Sequence, residues 1–265
     1  MTPSDLVSHI DARLLMRRLG NEVTEHAILV GGQAVAVWAE YFRAETGIDA
    51  AVLGSRDTDF CATIATVRIA AKRLVGKLSE PTIDDANTPT VGVVDYVDER
   101  GNERWIDFID QPHGLTSAAI HKRKQTLELL DEQDKPTGQS FHILHPLDLL
   151  KSRVWNTGGL PGYQTPHAFR QLKAAIACAR AFARTVMNAP DLSEKDAHRA
   201  VLRMNEEVFD LAATPYGLDV FFKFGIDVSE ATLEDPRLPE KFREVRLPQR
   251  RAELADLRKR KAPKP

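Results

Sequence analysis

Two hydrophobic periods alternate along this chain and then give way to one. Apolar residues at Leu6, Ile10, Leu14 and Leu15 recur at helical spacing behind a Ser/Asp start, which predicts an amphipathic helix over Ser4 to Leu19. A short continuous apolar run follows, Ala27 to Val30, stopped by Gly31 and Gly32 and succeeded by helical spacing from Gln33 to about Thr46. That reads as strand, glycine turn, helix. Thr58 to Ile64 alternates and predicts a strand; Val67 to Leu78 predicts a helix. Val91 to Val97 and Glu103 to Ile109 read as strands joined through Asp98, Gly101 and Asn102, a hairpin signal. Thr126 to Leu130 and Ser140 to Leu144 would add edge strands before Pro146 opens a helix over Leu147 to Trp155.

Beyond Asn156 the period is helical throughout. A turn-rich stretch at 156–166 separates the halves, and His167 to Met187 and Glu194 to Ala213 predict a helical hairpin, with Ser193 as a cap. The charged tail from Pro239 to Pro265 reads as a solvated, fraying helix. The fold class expected is α/β (α+β): a mixed-sheet domain over residues 1–156 and a helical domain over 157–265.

Composition narrows the function. With 265 residues, 43% of them hydrophobic, the chain can bury a sizeable core. Its formal charge of -2 excludes a surface built throughout to hold nucleic acid. The two cysteines, Cys61 and Cys178, stand far apart in apolar surroundings, as core residues rather than a disulfide or a zinc knuckle. The start of the chain lacks a basic region followed by an apolar run, and no stretch approaches the roughly 18 apolar residues of a membrane span. These features lead to the expectation of a soluble cytoplasmic protein without a membrane partner.

Three features carry chemistry. Asp57 and Asp59 enter a strand two residues apart, so their carboxylates share a face; a divalent cation turns their repulsion into ligation. Gly31 and Gly32 open a helix, where backbone N–H groups and the helix dipole favour a phosphate. Asp107 interrupts an apolar run of Trp105, Ile106, Phe108 and Ile109, a costly place for a carboxylate unless something compensates it. Asp110 is the alternative should the register differ. Each feature also has a bland reading: a solvated strand end, a tight turn, a strand edge facing water. The histidines form no metal-ligand spacing. Trp38, Trp105 and Trp155 read as core anchors, and Arg170, Lys173, Arg180 and Arg184 as a solvated helix face or an acceptor-binding stripe.

The order of these elements resembles the DNA polymerase β-like nucleotidyltransferase superfamily, whose pattern is a Gly-Gly or Gly-Ser turn, an Asp-x-Asp pair and a third carboxylate. It looks most like small bacterial members related to abortive-infection toxins of type IV systems. The likeness covers roughly residues 24 to 156. It implies a nucleotidyltransferase that moves a nucleoside monophosphate from an NTP to a hydroxyl acceptor. Two magnesium ions would be held by Asp57, Asp59 and Asp107, clamping the entering and leaving oxygens. The triphosphate would lie over Gly31, Gly32 and Gln33, with Ser55 able to contribute and with Lys151 or Arg153 adding positive charge. Gln33 stands where the family commonly has a small residue, and the gap between Gly32 and Asp57 is longer than in minimal members. The acceptor stays open among an RNA end such as that of tRNA, a protein hydroxyl and a small molecule; the toxin likeness also implies an antitoxin partner. The rival readings are a catalytically silent module of the same fold, acting in regulation or a toxin-antitoxin pair, and a metal-dependent phosphohydrolase.

Overall fold

The computed structural model describes residues 9–55, 57–82, 88–131, 133 and 135–262. They divide into two compact units, one formed by Met1–Arg43 with Ile48–Leu149 and the other by Ala44–Gly47 with Leu150–Pro265. The first is α/β and the second helical.

In the α/β unit, helix α1 (His9–Leu19) is followed by α2 (Asn21–Thr24), strand β1 (Ile28–Val30), helix α3 (Gly31–Tyr41) and strand β2 (Thr58–Cys61); the short helix α4 (Arg43–Thr46), between α3 and β2 in sequence, belongs to the helical unit from Ala44 on. Then come α5 (Ile64–Leu74), β3 (Lys77–Ser79), β4 (Thr90–Val97), β5 (Glu103–Ile109), α6 (Ser117–Arg123), β6 (Gln125–Leu130) and β7 (Pro136–Ile143). The part of the expected first helix upstream of His9 lies outside the described residues. Among the described residues, seven strands form one mixed sheet in the order β3-β4-β5-β2-β1-β7-β6. β2 pairs with β1 antiparallel and with β5 parallel. β7 is an interior strand rather than an edge, because it runs parallel to β1 and only β6 lies outside it. The expected helix over Val67 to Leu78 is displaced: α5 starts at Ile64 and stops at Leu74, leaving Leu78 to β3.

Alternation along the strands sorts the sheet's two faces. Phe60 and Phe108 sit side by side in register, fully buried, with rings stacked 5.8 Å apart, and Leu29 and Ile106 join them. Helix α5 covers this face, since a Cβ on Gly92, the partner of Phe108, would come within 3.1 Å of Val67 Cγ1. α1 packs against both α3 and α5. Trp38 is the large anchor of α3: it is 2% exposed, and its indole donates to the Leu144 carbonyl at 2.9 Å. The hairpin between β4 and β5 is closed by Asp98, whose Oδ1 accepts from the backbone N–H of Arg100 and of Asn102, while Arg104 donates to its Oδ2. Burial would raise the Asp98 pKa, but the hydrogen bonds from Asn102, Arg104 and Arg100 prevail and hold it down at about 2.

The two units meet in sequence inside α7 (Pro146–Gly159), which runs on through Thr157 and Gly158 instead of ending at the turn-rich stretch. The helical unit continues with α8 (Pro166–Met187), α9 (Glu194–Ala213), α10 (Pro215–Phe224) and α11 (Leu247–Lys261). α8 and α9 pair as the periodicity predicts, each started by a hydroxyl cap, Thr165 on Ala168 N–H and Ser193 on Asp196 N–H. Cys61 and Cys178 are both buried and free. The tail departs from a solvated helix: Leu247 and Leu254 are buried, the Arg250 guanidinium lies over Phe209, and Arg258 sits 3.7 Å from the Phe221 ring while pairing with Asp227. Its basic residues are thus anchored on aromatic faces. Residues 263–265 lie outside the described residues. Among the described residues no helix is long and apolar enough to cross a membrane.

Candidate metal centre

The acidic residues owe their meeting to register. β2 and β5 run parallel with Asp59 opposite Asp107, so both side chains leave the sheet on the face opposite Phe60 and Phe108. Asp57, two residues before Asp59 at the entry to β2, joins them. One carboxylate oxygen from each of the three lies within 4.8 Å of the others, and all three residues are half-buried. Asp110 is exposed beyond the end of β5 and is not part of the cluster.

Electrostatics makes the cluster unfavourable by itself. Burial, then the negative charges of Asp57 and Asp95, raise the Asp107 carboxyl above the ordinary carboxylate range. Asp95 had no role in the sequence pattern. It lies on β4 opposite Trp105, two residues from the partner of Asp107, so it shares the acidic face. The alternation of Val91 to Val97 carried the signal, because it puts Val93, Asp95 and Val97 on one side. Trp105 belongs to that face too: it is only half-buried, and Trp155 likewise, so of the three tryptophans expected as core anchors only Trp38 is fully enclosed. Burial, with the charges of Asp110 and Asp59 behind it, also pushes the Cys61 thiol up, which leaves it an inert core residue.

Glycine is required at the edge of the cluster. Val30, the last residue of β1, pairs with Asp59, and this brings the Asp59 carboxylate against the first residue of α3. A Cβ on Gly31 would lie 1.8 Å from Asp59 Oδ2, and its φ of +68° is a left-handed value that L side chains rarely adopt. The sequence pattern led to the expectation of a phosphate at this glycine; the neighbour present is the Asp59 carboxylate. The N-terminal turn of α3 therefore abuts the acids.

The remaining expected site residues fall in different places. Gly32 and Gln33 are buried in the first turn of α3. The Ser55 hydroxyl donates to the Asp57 carbonyl at 2.6 Å, which shapes the backbone leading into the pair; Arg56 between them lies outside the described residues. Lys151 and Arg153 belong to the helical unit. There the Lys151 ammonium lies 6.0 Å from the Trp155 ring, and the buried Arg153 donates to Gln171 Oε1 at 3.3 Å and lies over Tyr163. Of the α8 arginines, Arg184 pairs with Glu45 and Arg180 donates to the Glu230 carbonyl. Just before α7, His145 caps the helix: its Nδ1 accepts the Leu147 N–H at 3.1 Å, and burial, with the Arg123 charge, pushes its pKa down to about 3.

The donor set fits a hard divalent cation. Three carboxylates supply oxygen ligands only, at mutual distances one ion can bridge, and a cation would relieve the repulsion that raises Asp107. Comparison of the chain with protein-family models, with curated proteins and with solved structures found no match.

Proposed function

We propose that this chain is a metal-dependent nucleotidyltransferase, moving a nucleoside monophosphate from an NTP to a hydroxyl acceptor. The observation that carries the reading is the convergence of Asp57, Asp59 and Asp107 on one sheet face beside the start of α3. Asp57 and Asp59 would hold magnesium, with Asp107 completing the site. When bound, the cations supply charge neutralisation of the triphosphate and acidification of the attacking hydroxyl. Gly31 and Gly32 offer backbone N–H groups at the positive end of an 11-residue helix, which favours the β- and γ-phosphates. The new ester bond forms at the α-phosphorus and pyrophosphate leaves, so the protein's part is positioning and electrostatics.

The test is incubation with each of four α-labelled NTPs and Mg²⁺, in separate reactions with total cellular RNA, protein and small-molecule extract. The expected result is label joined to one acceptor class, absent without Mg²⁺ and absent in Asp59→Asn. Label released as free NMP, with none joined to any acceptor, would favour the phosphohydrolase; no turnover and no metal binding would favour the silent module.

A further inference from the structure

A second charged feature of the α/β unit lies among α1, α2 and α5, on residues with no part in the acidic cluster. Arg18, Glu22, Ile69, Lys72 and Arg73 line a cleft of about 500 Å³, three cations against one carboxylate in a chain of net charge -2.

Two of the cleft's three cations, Lys72 and Arg73, are not consumed by the fold. On the same helix, Arg68 is neutralised by a two-pronged pair with Glu80, at 2.9 and 3.1 Å. One turn later Lys72 and Arg73 have no carboxylate partner among the described residues. Basic residues at a helix C-terminus often serve its exposed carbonyls. Here that task is done by others: Gly76 N–H reaches the Ala71 carbonyl at 2.9 Å, Val75 N–H the Lys72 carbonyl at 3.3 Å, and Arg18 Nη2 the Leu74 carbonyl at 3.4 Å.

One of the three cations is also held in place. Arg18 is clamped by a further bond from Nη1 to the Val97 carbonyl, 2.8 Å, with its guanidinium over the Tyr96 ring. Arg73 lies across the turn between α1 and α2, where Gly20 adopts a φ of +70° and a Cβ would come within 2.6 Å of Arg73 Nη2. The close approach depends on glycine. A clamped guanidinium, a second guanidinium beside the Gly20 turn and an ammonium next to it present several N–H donors to the oxygens of a phosphate group. The volume exceeds what an isolated phosphate needs and falls within the roughly 300–1,000 Å³ of small-molecule sites.

We propose that this cleft binds a phosphate group carried on a nucleoside, either a free nucleotide or one residue of a single-stranded RNA backbone. Ile69 supplies an apolar wall for the sugar. The site is independent of the acidic cluster and of the activity assigned to it.

Isothermal titration of the full chain in EDTA tests this with two probes, ADP and a 12-nucleotide single-stranded RNA. Metal is removed so that loss of the acidic centre's chemistry cannot alter the outcome. At least one probe should bind, and Lys72→Glu/Arg73→Glu should weaken it at least tenfold, with Lys195→Gln as an unaffected control. RNA binding tenfold tighter than ADP, with a salt slope that falls by about 1–2 in the double variant, identifies a strand backbone. Equal binding identifies the free nucleotide, and either result supports the cleft. Should the charge reversal disturb folding by circular dichroism, Lys72→Gln/Arg73→Gln carries the same comparison. Absence of binding by both probes, or equal affinity in wild type and variant, overturns the proposal.

Discussion

Replacing Asp107 by asparagine should stabilise the metal-free protein. The substitution keeps the shape and removes one of three charges whose oxygens lie within 4.8 Å of one another. Two unit charges at that separation repel by about 0.9 kcal/mol at the dielectric constant of water and about 3.5 kcal/mol at an effective value near 20. Asp107 faces two such neighbours, and Asp95 adds to them. The wild type relieves part of this by holding its proton to higher pH, so a net gain of about 1–3 kcal/mol is expected, equivalent to a melting temperature about 3–8 °C higher. The pH dependence has a definite sign. Because the folded pKa is raised above the unfolded one, the wild type loses stability as pH rises from the ordinary carboxylate range through the raised folded value. The advantage of Asp107→Asn should therefore be smallest near pH 4 and grow toward pH 7. Magnesium should reverse the ranking: at about 1,000 times its dissociation constant it stabilises the wild type by about 4.1 kcal/mol, and the variant should respond little. Thermal unfolding of both proteins in EDTA and in Mg²⁺, across that pH range, checks every part. A variant less stable than wild type in EDTA, and still equally stabilised by Mg²⁺, would refute the reasoning.

Gly31→Ala should lower stability by about 2–4 kcal/mol, from a forced contact with Asp59 and a left-handed backbone, and should abolish the Mg²⁺-dependent shift in melting temperature. Val75, which closes α5 with a φ of +53° while 93% exposed, is a β-branched residue where glycine or asparagine is favoured; Val75→Asn should raise stability by about 0.5–1 kcal/mol in chemical denaturation. Asp98→Ala should cost about 1–2 kcal/mol by opening the hairpin turn. Since the folded pKa of Asp98 is depressed to about 2, its contribution is present above the ordinary carboxylate range and lost as pH falls toward 2, so wild type and variant should converge in acid.

How far the sequence reached depended on whether a feature was local. Periodicity and caps located β1, β4, β5, α8 and α9 because each is long or sharply bounded, as by Asp98 and Gly101 or by Ser193. β3 escaped because only Val75 and Gly76 separate its three residues from α5, and Leu78 stays in helical step with Leu74. The interior place of β7 follows from parallel pairing with β1 across more than a hundred residues, which no local pattern encodes. The same holds for the acidic centre. Asp57 and Asp59 share a face by strand geometry alone, but the alignment of Asp59 with Asp107 is a register between distant strands, and with it comes the exposure of Trp105 beside them. The tail looked solvated because its aromatic partners, Phe209 and Phe221, lie far upstream.

The central claim is that Asp57, Asp59 and Asp107 form a divalent-cation centre serving a triphosphate beside α3. Crystals grown with Mn²⁺ and a non-hydrolysable NTP test it most directly, through anomalous scattering at the manganese edge. Manganese should lie within about 2.0–2.3 Å of oxygens from all three carboxylates, with the triphosphate over Gly31 and Gly32. Manganese and triphosphate bound elsewhere, with the three carboxylates left unligated, would contradict it.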